Sequence, residues 1–564
     1  MKKTEELTFD YLVIGSGFGG SVAAMRLAQK GYSVGVVEAG RRWHADQFPR
    51  RNWNLRKFLW MPGLGLYGTW RLRLLNGAFI LAGSGVGGGS LNYANTLYVP
   101  PDVFFERPSV QRLGGKAELL PYYELAGRML GLTPNPVETT QDVLMRETAA
   151  EIGRESTFRR TDVAVYFGKE GEPAADPYFQ GEGPDRIGCE LCGECMTGCR
   201  KDAKNSLDKN YLYFAEKFGA RIFAENKVVD IEPLGADGSE GYRVRTRKTT
   251  GLLRRRRGLV FRTKGLVVAA GALGTNTLLL DMKRKGRLPN LSEHLGRYAR
   301  TNSETMLGVR SFAGDVEYSR GVAITSSVQP DEETRLEPVR FGKGHGAMCA
   351  LVAALTDGGK RLPRPLRWIG NELIHPIRNL RMRNPHRWAN ETIILLVMQT
   401  ADNYFHLKRR RPWFFPFAPV LASKPGTECR HPTWFPVGND FGRRLARRAG
   451  GAASNVISEV TVGAPITAHI LGGCSFGPTP EEGAIDERNR VRGYANMIVC
   501  DGSQIPENLG VNPALSITAF AERAMSFVPP KTTVRTLIAE KMWGLDGLLT
   551  RSSGPSRSPA QPAA

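Results

Sequence analysis

With 564 residues, 41% hydrophobic and 23% charged, the chain is too long for one hydrophobic core. Its ordinary composition excludes collagen-like and low-complexity classes. The formal net charge is +22, and no run of roughly 18 uncharged apolar residues offers a membrane-spanning helix.

The opening, MKKTEELTFDY, runs into a strand without an apolar signal region. A cytoplasmic protein, peripheral to a membrane at most, is the expectation. Phe9 to Gly40 reads as strand (Tyr11–Ile14), glycine turn, helix and second strand (Ser33–Val37) ending on Glu38. Gly15, Gly17 and Gly20 form G-x-G-x-x-G: one glycine for the tight turn, one for close approach to a pyrophosphate, one for helix–strand packing. The helix start offers free N–H groups to phosphate. Glu38 lies about 20 residues on, where an acid binds a ribose hydroxyl and disfavours NADP. This stretch alone leaves NAD and FAD both open.

A second glycine cluster spans Leu81–Pro101, and residues 102–185 read as helical and loop-rich. Next comes CELCGECMTGC, with Cys189-x2-Cys192-x2-Cys195-x3-Cys199. That is ferredoxin-type spacing for a [4Fe–4S] cluster, although Arg200 stands where Pro is usual. Zinc is the rival metal and a metal-free thiol loop the plain alternative. Cys349, Cys429, Cys474 and Cys500 are scattered, so a secreted disulfide framework is excluded.

Arg221–Val229 reads as a strand, Tyr242–Thr263 as a hairpin with the basic run Arg254–Arg257 at its tip, and Gly265–Ala270 as a buried parallel strand. Thr392–Gln399 (TIILLVMQ) is strand-like. Lys360–Trp388 and Lys408–Phe417 mix basic with apolar and aromatic residues, which suits an anionic lipid surface better than nucleic acid, for which no motif occurs. Asn496–Cys500 is a further buried strand, Gly510–Phe527 ends as a helix, and the tail from Ser552 is expected to be disordered. Nucleotide-domain strands at both ends and in the middle predict an α/β fold: a discontinuous Rossmann-like domain (5–101, 205–303, 460–530). The rest divides into a helical cap with the cysteines (102–204), an inserted antiparallel-sheet substrate domain (304–459) and a C-terminal helix and tail (531–564).

Four segments resemble the glucose–methanol–choline (GMC) flavoprotein oxidoreductases, within them the cholesterol oxidase branch. They are 14–40, GSGVGGGSLNYANTLYVPP (83–101), VVAAGALGTNTLLL (267–280), and TAHILGG (467–473) with DGSQIPENLGVNPALSITAFAER (501–523). The resemblance implies FAD. Gly15, Gly17, Gly20 and Glu38 would hold its ADP half; Gly85, Gly87, Gly88 and Ser90 would lie along the pyrophosphate and flavin. Val228 would contact adenine, Asp501 and Gly502 the ribityl chain, and Asn512-Pro513 would start the helix beneath the flavin, stabilising its reduced anion. His469 matches the family's active-site base, and Asn512 its active-site asparagine.

The implied reaction is oxidation of an apolar alcohol, a sterol 3β-hydroxyl, with O2 or an electron carrier as acceptor. A cluster near the flavin would favour a carrier. Family members that also isomerise the Δ5 double bond use a glutamate. In the matching stretch, 336–355, that position falls on His345-Gly346, with Glu337 the nearest acid, so the resemblance leaves isomerisation open. The alternatives are an iron–sulfur-coupled dehydrogenase of another apolar alcohol, and a non-catalytic basic protein binding membrane or nucleic acid. The intact motifs around His469 and Asn512 argue against the latter.

Overall fold

The computed structural model describes residues 6–251, 257–359, 361–411, 419–426 and 431–550. Most of the Arg254–Arg257 run, the aromatic continuation at 412–418, Cys429 and the tail from Ser552 lie outside them.

A seven-stranded sheet gathers strands from three distant parts of the chain. Glu6–Ile14 runs parallel to Val34–Val37 on one side and to Arg257–Val268 on the other; Arg221–Phe223 extends the sheet beyond Val34–Val37. The expected hairpin arm and the expected strand Gly265–Ala270 are one 12-residue strand. Its first half pairs antiparallel with Tyr242–Lys248, and its second half pairs parallel with Met497–Val499. The single strand expected over 221–229 is broken in two, because Glu225 takes a left-handed conformation with φ 61°. The chain resumes as Asn226–Pro233, hydrogen-bonded to Tyr242–Lys248.

The helix Phe18–Gln29 is buried on nearly every side, since the helices Ala514–Ser526 and Tyr211–Lys217 pack against it. Its small residues allow this: a Cβ at Gly19 would fall 1.9 Å from the Cys500 carbonyl oxygen. Arg26 in this helix is fully buried and pairs with Glu522 at 2.7 Å and with Glu540. Removing one partner of such a group costs roughly 3–5 kcal/mol, so this contact ties the last described segment to the nucleotide sheet. The helix Gly115–Met129 shares the same apolar core, so part of the expected cap packs into the nucleotide-binding layer.

A five-stranded antiparallel sheet takes the order Thr334–Val339, Thr392–Gln399, Thr305–Ser311, Gly451–Val456, Val352–Ala354. The period-two rule explains why TIILLVMQ is apolar throughout. Ile393, Leu395 and Val397 pack under the helix Pro436–Arg448, while Ile394, Leu396 and Met398 face the opposite core. The same alternation sends Leu336 to the helix side, and Glu337 and Val339 to the other. The short strand Ile466–Thr467, paired with Ala78–Gly83, delivers the chain to His469.

Candidate active site and cofactor groove

The sheet alternation brings two carboxylates to one histidine. Glu304 precedes the strand Thr305–Ser311 and is fully buried, with Oε2 2.5 Å from Nδ1 of His469. Its other oxygen accepts from the Ala468 backbone N–H at 2.7 Å. The Asn302 amide lies 3.3 Å from the same Nδ1 and donates to the Val511 carbonyl at 2.6 Å. The His469 ring is thus fixed through one nitrogen, and Nε2 is left for substrate. Burial by itself would lower the His469 pKa, but the Glu304 carboxylate, with a smaller contribution from Glu337, raises it above the ordinary value.

Asn512 immediately precedes the helix Ala514–Ser526. In the amide orientation that satisfies its neighbours, its nitrogen donates to both Glu337 oxygens at 3.0 and 3.1 Å, and its oxygen accepts from Thr96 Oγ1 at 3.1 Å. Glu337 is fully buried; burial pushes its pKa up to about 7, against the pull of Arg335, His469 and Asn512. Tyr98 is raised as well, by burial and then by Glu337.

This corrects the expectation that the site lacks a second carboxylate. Glu337 occupies it, because odd positions of its strand face the site. His345 binds the Gly342 carbonyl of its own loop through Nδ1 at 3.0 Å and lies beside Asn52. Glu304 was missed by sequence reasoning; a lone Glu in TNSET carries no signal for it.

The cofactor residues assemble as two facing glycine loops. Gly15 has φ 103°, and a Cβ there would sit 2.2 Å from the Ala269 carbonyl oxygen. At Gly88 (φ 53°) it would sit 2.6 Å from the Gly17 Cα, whereas a Cβ at Gly17 meets only the Gly88 Cα at 4.0 Å. Space is therefore kept open over Gly17, where a pyrophosphate would lie. Ser16 ties the loops: its hydroxyl donates to Glu38 at 2.8 Å and accepts from the Gly87 N–H at 3.2 Å. Glu38 also accepts from the Gly40 N–H at 2.7 Å. Asn226 donates to the Glu38 carbonyl at 2.8 Å, which sets Val228 beside the same strand end.

Two of the expected cofactor side chains also make hydrogen bonds within the protein. The Ser90 hydroxyl donates to the Gly87 carbonyl at 2.7 Å and accepts from the Leu207 N–H at 3.0 Å, so it braces the loop. The Asp501 carboxylate caps the turn Gly502–Gln504 through the Ser503 N–H at 2.8 Å and accepts from Thr275 at 2.5 Å. Gly502 and Asp501 are buried where the strand Met497–Val499 ends, opposite Gly19, and Pro513 caps the helix start. The open cradle, the acidic strand end and the capped helix fit an extended dinucleotide.

The four cysteines Cys189, Cys192, Cys195 and Cys199 line one small cavity. Among the described residues no three His, Cys, Asp or Glu side chains converge to hold a metal ion. All seven described cysteines are free thiols.

A Rossmann-type sheet, an open glycine cradle and a buried histidine–carboxylate pair define an FAD-dependent alcohol oxidoreductase. Two segments, 183–284 and 435–521, match family models described as GMC oxidoreductase, and 13–51 matches an NAD(P)-binding Rossmann-like domain. The chain is 45% identical over 533 residues to a cholesterol oxidase of Acinetobacter baumannii, covering 93% of this chain and 95% of that one. A cholesterol oxidase of Mycobacterium tuberculosis is 46% identical, with 93% and 91% covered. A long-chain-alcohol oxidase of Arabidopsis thaliana is 25% identical, with 91% and 66% covered. Among solved structures, pyridoxine 4-oxidase from Mesorbium loti shares the fold, with TM-score 0.59, 15% identity, and 91% and 98% covered. The chain belongs to the GMC oxidoreductase family.

Proposed function

We propose that this protein oxidises the 3β-hydroxyl of a sterol, passes the electrons to O2, and moves the Δ5 double bond of the product into conjugation. The observation that carries the reading is Glu337, hydrogen-bonded to Asn512 and within electrostatic reach of His469. Alcohol oxidation needs one proton acceptor, and a second buried carboxylate beside it supports a second proton transfer. The close relatives named as cholesterol oxidases support the same substrate.

Bound FAD would supply the hydride acceptor, held by Gly15, Gly17, Gly20 and Glu38 at one end and by the Asn512-Pro513 helix start at the other. His469 Nε2 would hold the substrate hydroxyl and take its proton, with Glu304 stabilising the imidazolium through Nδ1. Asn512, oriented by Thr96, positions the Glu337 carboxylate. Ionised, Glu337 would take the proton from C4 of the 3-keto product and return it at C6. The test is anaerobic: cholesterol should bleach the flavin. A flavin that stays oxidised with sterols but bleaches with a long-chain alcohol would move the reading to another apolar alcohol.

The substrate's home supports a membrane-surface site of action. The helices Arg364–Ile374 and Pro376–Arg383 present Leu373, Ile374, Ile377 and Leu380 at 72–77% exposure. Much of the basic charge around them is turned inward. Arg364 holds Glu459 at 2.6 Å and Arg383 holds Glu372, so the outward face is chiefly apolar. Glu459 also accepts from Thr305, the neighbour of Glu304, which joins this surface to the site. Among the described residues no helix is long and apolar enough to cross a membrane, so insertion would be shallow.

A further inference from the structure

Thr96 and Tyr98 stand two residues apart, and both reach the second carboxylate. Thr96 Oγ1 donates to the Asn512 oxygen at 3.1 Å, and the Asn512 nitrogen donates to both Glu337 oxygens. The Tyr98 hydroxyl is buried, has no hydrogen-bond partner, and faces Glu337. Its ring is covered by Arg335, whose guanidinium carbon lies 5.0 Å from the ring centre. Arg335 is itself fixed by a 3.0 Å bond to Ser327 Oγ. It precedes Glu337 by two positions on the strand Thr334–Val339, so the strand period puts both on one face. Tyr98 therefore sits between a cation and a carboxylate.

Leaving a buried hydroxyl unpaired is costly, and its surroundings give this one a use. A neutral Glu337 carboxyl needs few donors, and the single Asn512 amide serves both of its oxygens. An ionised carboxylate has about four acceptor sites, and a buried one has to be hydrogen-bonded. Besides Tyr98, the groups that act on Glu337 are Arg335, His469, Asn512 and Glu304. Arg335 is engaged by Ser327, His469 by Glu304, and Asn512 already donates. Tyr98 is the donor left idle beside it.

We infer that Tyr98 is a positioning residue for the second proton transfer: its hydroxyl donates to Glu337 once that carboxylate is ionised and holds it in place as the base. This role rests on Glu337 being the base proposed above. No proton leaves Tyr98, because burial, and then Glu337, push the phenol pKa far above its ordinary value. Arg335 over the ring face keeps the phenol in one orientation. A donor to the charged form favours that form. Tyr98 thus works against the burial that raises the proton affinity of Glu337.

The test reads Glu337 directly. Infrared spectra of the flavin-loaded protein are recorded across pH, and the band lost in Glu337→Gln identifies its protonated carboxyl. Tyr98→Phe should move the midpoint of that band upward by about one pH unit. Conversion of the Δ5-3-ketone, supplied directly, should then fall about tenfold at about pH 6. A midpoint that stays in place in Tyr98→Phe, with bound flavin showing that the variant folds, would overturn the role of Tyr98. A midpoint that moves while neither protein converts the ketone would support the hydrogen bond and overturn the isomerisation instead.

Discussion

The Glu304 carboxylate sits 2.5 Å from Nδ1 of His469, and the two are 165 residues apart in the chain. A buried anion on one ring nitrogen does two things. It selects which nitrogen meets substrate, and it makes that nitrogen a stronger base than burial alone would allow.

Replacing Glu304 by Gln should lower kcat on the order of 10²-fold. Because Glu304 raises the His469 pKa against the lowering effect of burial, its removal should bring that pKa down. With neutral His469 as the proposed base, the rising limb of the kcat–pH profile should move to lower pH in the variant. A limb that stays in place would exclude His469 as the titrating group.

Glu337→Gln should leave oxidation largely intact and stop the double-bond shift, so that the unconjugated ketone accumulates; product absorbance separates the two. In the wild type, isomerisation should rise with pH through about 7 as Glu337 ionises. A double-bond shift that persists in the variant would place the base elsewhere.

The same carboxylate affects stability. Its pKa is raised from 4.5 to about 7 on folding. Its favourable contribution is therefore complete below about pH 4.5 and is lost as pH rises through 7. At pH 8 the Gln variant should be more stable by up to about 3 kcal/mol, read from urea unfolding at both pH values. Equal stability at pH 8 would contradict the raised pKa.

Two glycines separate cofactor space from packing. Gly17→Ala should fold normally yet purify with little flavin, since its new methyl group meets only the Gly88 Cα at 4.0 Å. Gly20→Ala should instead damage the fold, since its Cβ would lie 2.1 Å from the Gly15 carbonyl oxygen. Flavin content and melting temperature of the two proteins check this; a flavin-replete Gly17→Ala would refute the cradle.

For the outer helices, Leu373→Ser with Ile377→Ser should weaken binding to phosphatidylcholine vesicles at least about tenfold, from the burial value of two large apolar side chains. Added salt should change binding little, because Arg364 and Arg383 are engaged internally. Unchanged flotation of the double variant would exclude this face.

How much of this was legible in the sequence depended on the range of the interaction. The first strand–turn–helix, the second glycine loop and the helix after Pro513 all appear where expected. The strand Arg257–Val268 was read as two pieces, since its basic first half and apolar second half have different partners on one edge. The basic character of Lys360–Trp388 was visible, but not that Arg364 and Arg383 are engaged by carboxylates while leucine and isoleucine side chains stay outside.

The sequence by itself, through its glycine spacing and its family resemblance, marked the two glycine loops and singled out His469 and Asn512. Left-handed turns and close backbone approach can be met only by glycine at set spacings, and a helix start beside a flavin needs its own local signal. Only the tertiary structure decided which acids serve them. Glu337 reaches Asn512 because of the strand face it occupies, whereas Glu304 reaches His469 from just before Thr305–Ser311 and His345 stays in its loop. That face is set by the register of five paired strands between two apolar cores, and a shift of one residue would turn every such side chain away.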